Sequence, residues 1–304
     1  MTHSLVYKIA RALLDLPFTL HRPRRPHIVM TLLVKNEEQM LAQQIEFHHA
    51  LGVDHFIVTD NNSTDGTPDI IRRYQDKGWI VDVIEEHATD YEQKAWVDRM
   101  VELARAKHHA DWIINADADE FWLPACGSFP ELLQATRANV LAGELHSVLP
   151  EESKPWQEWT QLVRYVDDYE AYGLSRFSIF ERQNKKVLHR SRGYLQISMG
   201  NHKVSMLPHI ERRADITIFH FNVRGREQFM QKMINGGKQL EQHKGRHGGR
   251  HWRYFYKLYK EGKLAEEYDR VVGTHVRDRL LSEGYIYEDT RLRDFLEKLN
   301  AKER

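Results

Sequence analysis

The chain has 304 residues, of which 41% are hydrophobic and 11% aromatic, so its composition excludes an intrinsically disordered protein. Its 44 basic and 44 acidic side chains balance, which leaves no bulk field to attract nucleic acid. The single cysteine, Cys126, excludes an internal disulfide framework and a zinc site made of several cysteines. We therefore expect a globular protein with a substantial core and no nucleic-acid partner.

The N-terminal segment, residues 1–26, joins a helical pattern to a basic cluster. One helical face gathers the apolar residues Leu5, Ile9, Leu13 and Leu16. Lys8 and Arg11 interrupt the apolar run that a secretory signal peptide requires, and no apolar run is long enough to predict a spanning helix. A basic cluster follows at Arg22, Arg24 and Arg25. The pattern fits either a helix that lies on an anionic membrane surface or a helix that docks on the protein's own body.

Strands and helices alternate between residues 27 and 124. Apolar runs of strand length occupy residues 27–34, 55–60, 79–84 and 112–117. Helical patterns lie between them, at 37–51, from Thr67 to Gly78 and at about 90–109. Gly52 and Gly78 are expected stops, and Thr67 is an expected N-cap before Pro68. The alternation predicts parallel strands joined by right-handed helical crossovers in a buried sheet.

The alternation weakens after residue 140. Strand-like runs remain at residues 143–150, 185–189 and 216–221, and from about residue 226 the chain is mostly helical and charged. We place a boundary near residue 222. The sequence therefore predicts an N-terminal segment at 1–26, an α/β domain at 27–222 and a helical C-terminal region at 223–304.

Polar clusters follow three of the predicted strands, at Lys35 to Glu38, at Asp60 to Gly66 and at Asp117 to Glu120. Each cluster alone is weak, since a run such as Asn-Ser-Thr-Asp-Gly is typical of a plain turn. Ligands of open parallel sheets bind beyond the carboxyl ends of the strands. Because all three clusters stand at such ends, together they predict one ligand-binding rim.

The third cluster has the character of a metal site. In an extended segment residues i and i+2 point the same way, so Asp117 and Asp119 are expected to reach a common point while Glu120 faces away. Two converging carboxylates predict a hard divalent cation, Mn²⁺ or Mg²⁺, which keeps positions open for substrate phosphates. The alternative is a helix N-cap with ordinary surface charge.

The segments MTLLVKNEEQML, HHALGVDHFIVTDNNSTDGT and WIINADADEFWLP resemble the nucleotide-sugar glycosyltransferases with the GT-A fold, and most of all their family-2-like group of bacterial enzymes. A fainter similarity continues through KKVLH, GNHKV and IFHFNVRGREQFMQK. The resemblance implies an α/β fold with a Rossmann-like, mostly parallel sheet flanked by helices, followed by a helical C-terminal region. It also implies an enzyme that uses a nucleoside-diphosphate sugar.

The resemblance further implies roles for individual residues. Lys35 and Glu37 correspond to the segment that lines the nucleoside pocket, and Asp60 corresponds to the acidic residue set against the base or ribose. Asp117 and Asp119 correspond to the Asp-x-Asp motif of the metal site, with Asp119 as the direct ligand and Asp117 nearer the ribose. The chain departs from the family-2 pattern at Lys35, where an aromatic residue is common. UDP is therefore only the default nucleotide.

Two further roles fall later in the chain. In this group a late histidine often completes the metal site, which points to His220 with His202 as the alternative. The inverting transfer that the resemblance implies needs a carboxylate as general base. The candidates are Glu151, Glu152, Asp167, Asp168 and Glu170. Their spacing does not separate them, and we select Asp168.

The basic segment 242–253 has two possible interpretations: a loop that closes over a diphosphate, or a solvated surface loop.

The whole pattern predicts a metal-dependent glycosyltransferase that delivers sugar to a hydroxyl of a glycan or glycolipid, as in polysaccharide or lipopolysaccharide synthesis. We expect it in the cytoplasm, with peripheral contact at the membrane. The alternatives are a haloacid-dehalogenase-like phosphatase or phosphotransferase, and a non-catalytic nucleotide- or glycan-binding module. The former usually carries Asp-x-Asp on its first strand.

Overall fold

The computed structural model describes residues 5–18, 23–87, 93–242 and 249–302. The chain divides into two compact units. The first comprises Met1–Leu145 and Asn184–Ile218, and the second comprises His146–Gln183 and Phe219–Arg304. The expected division into segments 1–26, 27–222 and 223–304 stays a prediction.

Ten α-helices and twelve strands lie within the described residues. The helices are α1 (Leu5–Asp15), α2 (Leu41–Ala50), α3 (Thr67–Asp76), α4 (Gln93–Ala106), α5 (Phe129–Ala135), α6 (Arg226–Gln242), α7 (Arg250–Lys260), α8 (Leu264–Val272), α9 (Arg277–Ser282) and α10 (Arg291–Lys302). The strands are β1 (Ile28–Val34), β2 (His55–Asp60), β3 (Ile80–Glu85), β4 (Trp112–Asp117), β5 (Glu120–Pro124), β6 (Val140–Ser147), β7 (Gln161–Val163), β8 (Lys186–Arg190), β9 (Tyr194–Ile197), β10 (Val204–Met206), β11 (Glu211–His220) and β12 (Ile286–Glu288).

Eight of the described strands form one sheet in the order β3-β2-β1-β4-β8-β6-β11-β5. Strand β1 pairs in parallel with β2 and with β4, and β2 pairs in parallel with β3. Strand β8 runs antiparallel to both β4 and β6. The prediction of an α/β fold with helices between parallel strands is confirmed, and antiparallel pairing begins where the alternation weakens in the sequence.

The ends of α2 and α3 agree with two of the three helix signals predicted from the sequence. Gly52 and Gly78 follow α2 and α3 with φ of 97° and 73°, the left-handed conformation that glycine adopts at little cost. Both expected stops are confirmed. The expected N-cap differs, because Gly66 caps α3 and Thr67 is its first residue. The Thr67 hydroxyl instead accepts a hydrogen bond from the Glu37 amide at 2.8 Å, in the loop after β1.

The core of the first unit lies under the parallel strands. It includes Val29, Ile57, Val97, Met100, Val101, Ile113, Val140, Val187 and Tyr194. Six of the seven residues of β1 are buried, as a central strand covered on both faces requires. Each buried Val, Ile, Leu or Met side chain of this strand stabilises the fold by about 1.5–3 kcal/mol, so the sheet holds the loops at its edge in place.

The second unit is mainly helical and has a core of its own. Its buried side chains include Leu149, Val163, Phe180, Phe229, Phe255, Tyr268, Val271 and Leu280. Strands β7 and β12 pair antiparallel beside this core. Among the described residues, no helix is both long enough and apolar enough to span a bilayer.

Candidate functional site

The loops that follow β1 and β2 are joined by a set of hydrogen bonds. Their donors and acceptors are Asn36 N to Ser63 Oγ (2.9 Å), Thr64 N to Asn36 Oδ1 (2.8 Å), Glu37 N to Thr67 Oγ1 (2.8 Å) and Gly66 N to Glu38 Oε2 (2.7 Å). Asn36 and Asn62 have φ of 55° and 54°, a conformation that the short asparagine side chain tolerates. Two of the three polar clusters thus form one continuous rim.

The third cluster joins this rim through the register of the sheet. Val34 of β1 pairs with Asp60 of β2, and Leu33 of β1 pairs with Asp117 of β4. Asp60 and Asp117 therefore flank the end of β1. Their Cα atoms lie about 10 Å apart, since each strand spacing is about 4.8 Å. This confirms the prediction that the polar clusters meet at one edge of the parallel strands.

The residues expected to face the nucleotide differ in exposure. Lys35 is exposed, whereas Glu37 and Asp60 are half-buried. Asp60 Oδ1 accepts a hydrogen bond from the Ser63 amide at 3.1 Å, which orients this carboxylate along the loop after β2. Their roles toward a nucleoside stay predictions.

The Asp117–Glu120 segment is a turn. Strand β4 ends at Asp117, β5 begins at Glu120, and Ala118 and Asp119 form the turn between them. The assumption of an extended segment is therefore wrong at this point. Asp119 is buried and Glu120 is completely buried, while Asp117 is half-exposed.

A lysine from another strand binds two of these acids. Lys186 Nζ lies 2.8 Å from Asp117 Oδ2 and 2.6 Å from Glu120 Oε1. The expectation that Glu120 faces away from Asp117 is wrong, because both side chains reach the same ammonium group. Lys186 begins β8, which runs antiparallel to β4, so its position falls beside the end of β4.

Sequence reasoning missed Lys186 as a site residue. The segment KKVLH carried only a faint resemblance, and no local pattern tells which lysine will be buried. Only the pairing of β8 with β4 determines that choice. A motif-based signal would have been a lysine at the start of a strand that pairs with the Asp-x-Asp strand.

The charges of this cluster are set by burial and by each other. Burial raises the pKa of Glu120 to about 8, while the neighbouring charge of Lys186 opposes this rise. Burial alone lowers the pKa of Lys186, but the charges of Asp117 and Glu120 outweigh it and raise that pKa. Lys186 is therefore a buried, permanently charged ammonium group at the edge of the sheet.

His202 lies in the electrostatic field of the same cluster. Its Nδ1 is 3.0 Å from the Lys185 carbonyl oxygen, which can only accept, so Nδ1 carries the proton and Nε2 has the lone pair. Burial lowers the pKa of His202, Lys186 lowers it further, and Asp117 raises it. His202 is thus a neutral imidazole in this unit, as a metal ligand must be.

The acidic residues at this edge are the ones expected to hold a divalent cation. Among the described residues, no group of three histidine, cysteine or acidic side chains is placed to hold an ion alone. Mg²⁺ in phosphate-transferring sites commonly uses one or two carboxylates and completes its shell with substrate phosphates and water. Asp117 and Asp119 are carboxylates of that kind, and their role as ligands of an ion that arrives with a diphosphate stays a prediction.

The other predicted site residues belong to the second unit. His220 is the last residue of β11, and Asp168 is exposed, with its Oδ1 accepting from the Ala171 amide at 3.1 Å. The remaining candidate bases accept hydrogen bonds within that unit as well: Glu151, Glu152, Asp167 and Glu170. These contacts do not distinguish a base, and the roles of His220 and Asp168 stay predictions. Residues 243–248 of the basic segment lie outside the described residues.

Residues 29–147 match the sequence profile of glycosyltransferase family 92. The matched region runs from β1 to the end of β6 and includes the rim and the Asp117–Glu120 turn. The chain is a glycosyltransferase. The order β3-β2-β1-β4, followed by an antiparallel strand, agrees with the GT-A fold that the sequence resemblance implied.

Solved structures give weaker similarities. The 1–349 fragment of S. aureus TarS is 13% identical, with a TM-score of 0.37, over 84% of this chain and 74% of that chain. Glucosyl-3-phosphoglycerate synthase from Mycobacterium tuberculosis is 17% identical, with a TM-score of 0.28. That similarity covers 48% of this glycosyltransferase and about half, 49%, of the synthase chain. No curated protein matches the chain.

Proposed function

We propose that this glycosyltransferase moves a sugar from a nucleoside-diphosphate sugar, with UDP as the first nucleotide to test, to a hydroxyl of a glycan or glycolipid. The observation that supports the proposal is the meeting of three polar loops at the carboxyl edge of β1, β2 and β4, within the region that matches a glycosyltransferase family. The structure of the TarS fragment with UDP and that of the synthase with Mn²⁺ and UDP suggest which ligands to try first.

The proposed role of each residue depends on its position at the rim. The loop from Lys35 to Glu37 and the carboxylate of Asp60 bind the nucleoside, on the β2 side of the rim. Asp119 and Asp117 hold Mn²⁺ or Mg²⁺ on the β4 side. When bound, such an ion neutralises charge that develops on the departing diphosphate. The finer assignments, a family-2-like bacterial enzyme of polysaccharide or lipopolysaccharide synthesis in the cytoplasm, remain predictions.

Lys186 contributes a fixed positive charge to the same end of β4. A charge already held in place by Asp117 and Glu120 needs no reorganisation when a diphosphate acquires negative charge. Transfer is proposed to be inverting, with Asp168 as the base that takes the proton of the acceptor hydroxyl and His220 as a further metal ligand.

The decisive experiment is thermal unfolding with UDP, GDP, ADP or CDP, each with Mn²⁺, Mg²⁺ or a chelator. A ligand that binds only the folded protein raises its melting temperature. We expect one nucleotide to do so in a metal-dependent way, and Asp119→Asn to remove the effect. The exposed Asp76 on α3 supplies the matched control Asp76→Asn, which should respond as the wild type does.

Turnover then separates the alternatives. Release of UDP from a UDP-sugar, stimulated by the metal and lost in Asp119→Asn, supports a transferase. Phosphate release from a phosphomonoester without nucleotide preference would indicate a phosphatase. Nucleotide binding with no turnover of any donor would indicate a binding module. Stabilisation that does not depend on Asp119 would contradict the proposed site.

A further inference from the structure

Helix α1 is attached to the first unit by its charged side and not by its apolar side. Lys8 and Ala12 are its buried residues. Lys8 Nζ lies 3.6 Å from Asp98 Oδ2, and Arg11 forms an ion pair with Glu102 at 2.6 Å. Both acids belong to α4. The helix therefore docks on the protein's own body, but in the orientation opposite to that of an ordinary surface helix.

Further contacts fix this orientation. Arg11 also donates to the Tyr194 carbonyl oxygen at 3.2 Å, and Arg105 of α4 pairs with Asp15 at 2.9 Å. Rotating the helix to bury its leucines would leave Asp98 and Glu102 without these cations in a partly buried place. Removing one partner of a buried ion pair is strongly destabilising, because the other charge is left without compensation. These ion pairs therefore hold the charged face of α1 against α4 and leave its apolar face exposed to solvent.

The outward face is large and almost wholly apolar. Between 39% and 78% of the surface is exposed at each of Leu5, Val6, Tyr7, Ile9, Leu13, Leu14 and Leu16. Monomeric proteins rarely leave a contiguous apolar patch of this kind uncovered. The helix has no polar face directed to solvent, so water is a poor environment for it.

The shape of this exposed apolar face favours a lipid bilayer over a protein partner. Leu5, Val6 and Tyr7 are consecutive and all half or more exposed, so they span about 200° of the helix circumference at 3.6 residues per turn. A partner helix packs against a narrow stripe only. One 11-residue helix, about 16 Å long and about 10 Å wide, also offers little toward the roughly 1,200 Å² that stable dimers bury.

Charge near the helix indicates which surface it meets. Arg24 is exposed and follows Leu16 by eight residues, so it stands within about 30 Å of the helix end. Arg25 is exposed as well, but its guanidinium pairs with Asp54 at 3.0 Å. Lys8 and Arg11 are neutralised by acids of α4 and do not repel or attract a surface. We infer that the exposed face of α1 inserts into the interface of an anionic lipid bilayer, with the exposed Arg24 at the phosphate level.

This inference is independent of the proposed glycosyl transfer. Its test is flotation of the full chain with phosphatidylcholine vesicles that contain or lack phosphatidylglycerol. We expect binding to the anionic vesicles, and a loss of about tenfold or more in Val6→Ser/Leu14→Ser, which removes the two most exposed apolar side chains. Arg24→Ala should weaken binding to anionic vesicles only, by about fivefold.

Two controls distinguish the role of α1 from general effects of the substitutions. Met199→Ser/Leu281→Ser changes exposed apolar residues outside α1 and should bind as the wild type does. Thermal unfolding should be the same in all variants, since none of the changed side chains is buried. No flotation of the wild type, equal flotation of Val6→Ser/Leu14→Ser, or equal loss in the control would overturn the inference. So would a lipid-free dimer in sedimentation that Val6→Ser/Leu14→Ser dissolves, because a second copy would then cover the face.

Discussion

Glu120 offers the sharpest test of the balance between burial and ion pairing at the end of β4. Its side chain is fully buried, and its Oε2 accepts from Trp122 Nε1 at 3.2 Å while Oε1 faces Lys186. Burial favours the neutral acid, whereas the lysine favours the carboxylate. Burial is the larger effect, and it raises the pKa of Glu120 from 4.5 to about 8.

The sign of the pH dependence follows from this direction. Between pH 4.5 and 8 the folded protein holds a proton on Glu120 that the unfolded chain has released. The free energy of unfolding therefore falls as pH rises through this window. At 1.36 kcal/mol per pKa unit, the loss is about 5 kcal/mol in all, and most of it falls between pH 5 and 8.

The perturbation is Glu120→Gln, which keeps the shape and cannot ionise. In urea titrations followed by fluorescence of the buried Trp112 and Trp122, the variant should gain about 3–4 kcal/mol over the wild type between pH 5 and 8. Glu131→Gln, at an exposed position of α5, is the control and should change the difference by less than about 0.5 kcal/mol. A gain of the wild type over Glu120→Gln on raising the pH would refute the reasoning, because the lysine would then outweigh burial.

Three further changes probe other buried contacts. Burial lowers the pKa of His48 from 6.5 to about 3, so unfolding free energy should fall as pH drops through that range. His48→Gln should flatten this acid limb in urea titrations, and an unchanged limb would contradict the assignment. Lys186→Met leaves the Asp117 and Glu120 side chains without their shared partner and should cost about 3 kcal/mol or more in urea titrations, and a cost below about 1 kcal/mol would deny the role of these contacts. Gly237→Ala places a methyl group against Tyr256 between α6 and α7. Its melting temperature should fall, since overpacking of about 1–3 kcal/mol exceeds the gain of about 1 kcal/mol in helix propensity, and a rise would show that the helices separate freely.

Much of the parallel half of the sheet was predictable from local patterns. Continuous apolar runs marked β1, β2 and β4 because a strand buried on both faces has no polar side to show. Gly52 and Gly78 marked helix ends because few other residues accept a left-handed backbone there. The rim followed from topology alone, since parallel neighbours bring their carboxyl ends together.

The acidic turn was predicted in composition and not in geometry. The sequence located Asp117, Asp119 and Glu120 at a strand end but treated them as extended, whereas β5 starts at once and folds the segment back. Nothing within a few residues of the motif encodes that reversal. The reversal of the chain depends on the position that β5 takes in the sheet.

Local patterns in the sequence predicted the strands of the parallel half of the sheet, the ends of two helices and the acids at the rim, because periodicity, glycine conformation and residue chemistry act locally. The three-dimensional contacts alone reveal that Lys186 binds both Asp117 and Glu120, and that α1 docks by Lys8 and Arg11 with its leucines outward. In both cases the deciding partner lies roughly 70 or 90 residues away along the chain. A helical pattern fits either orientation of α1 equally well, and the acids of α4 are what distinguish the two.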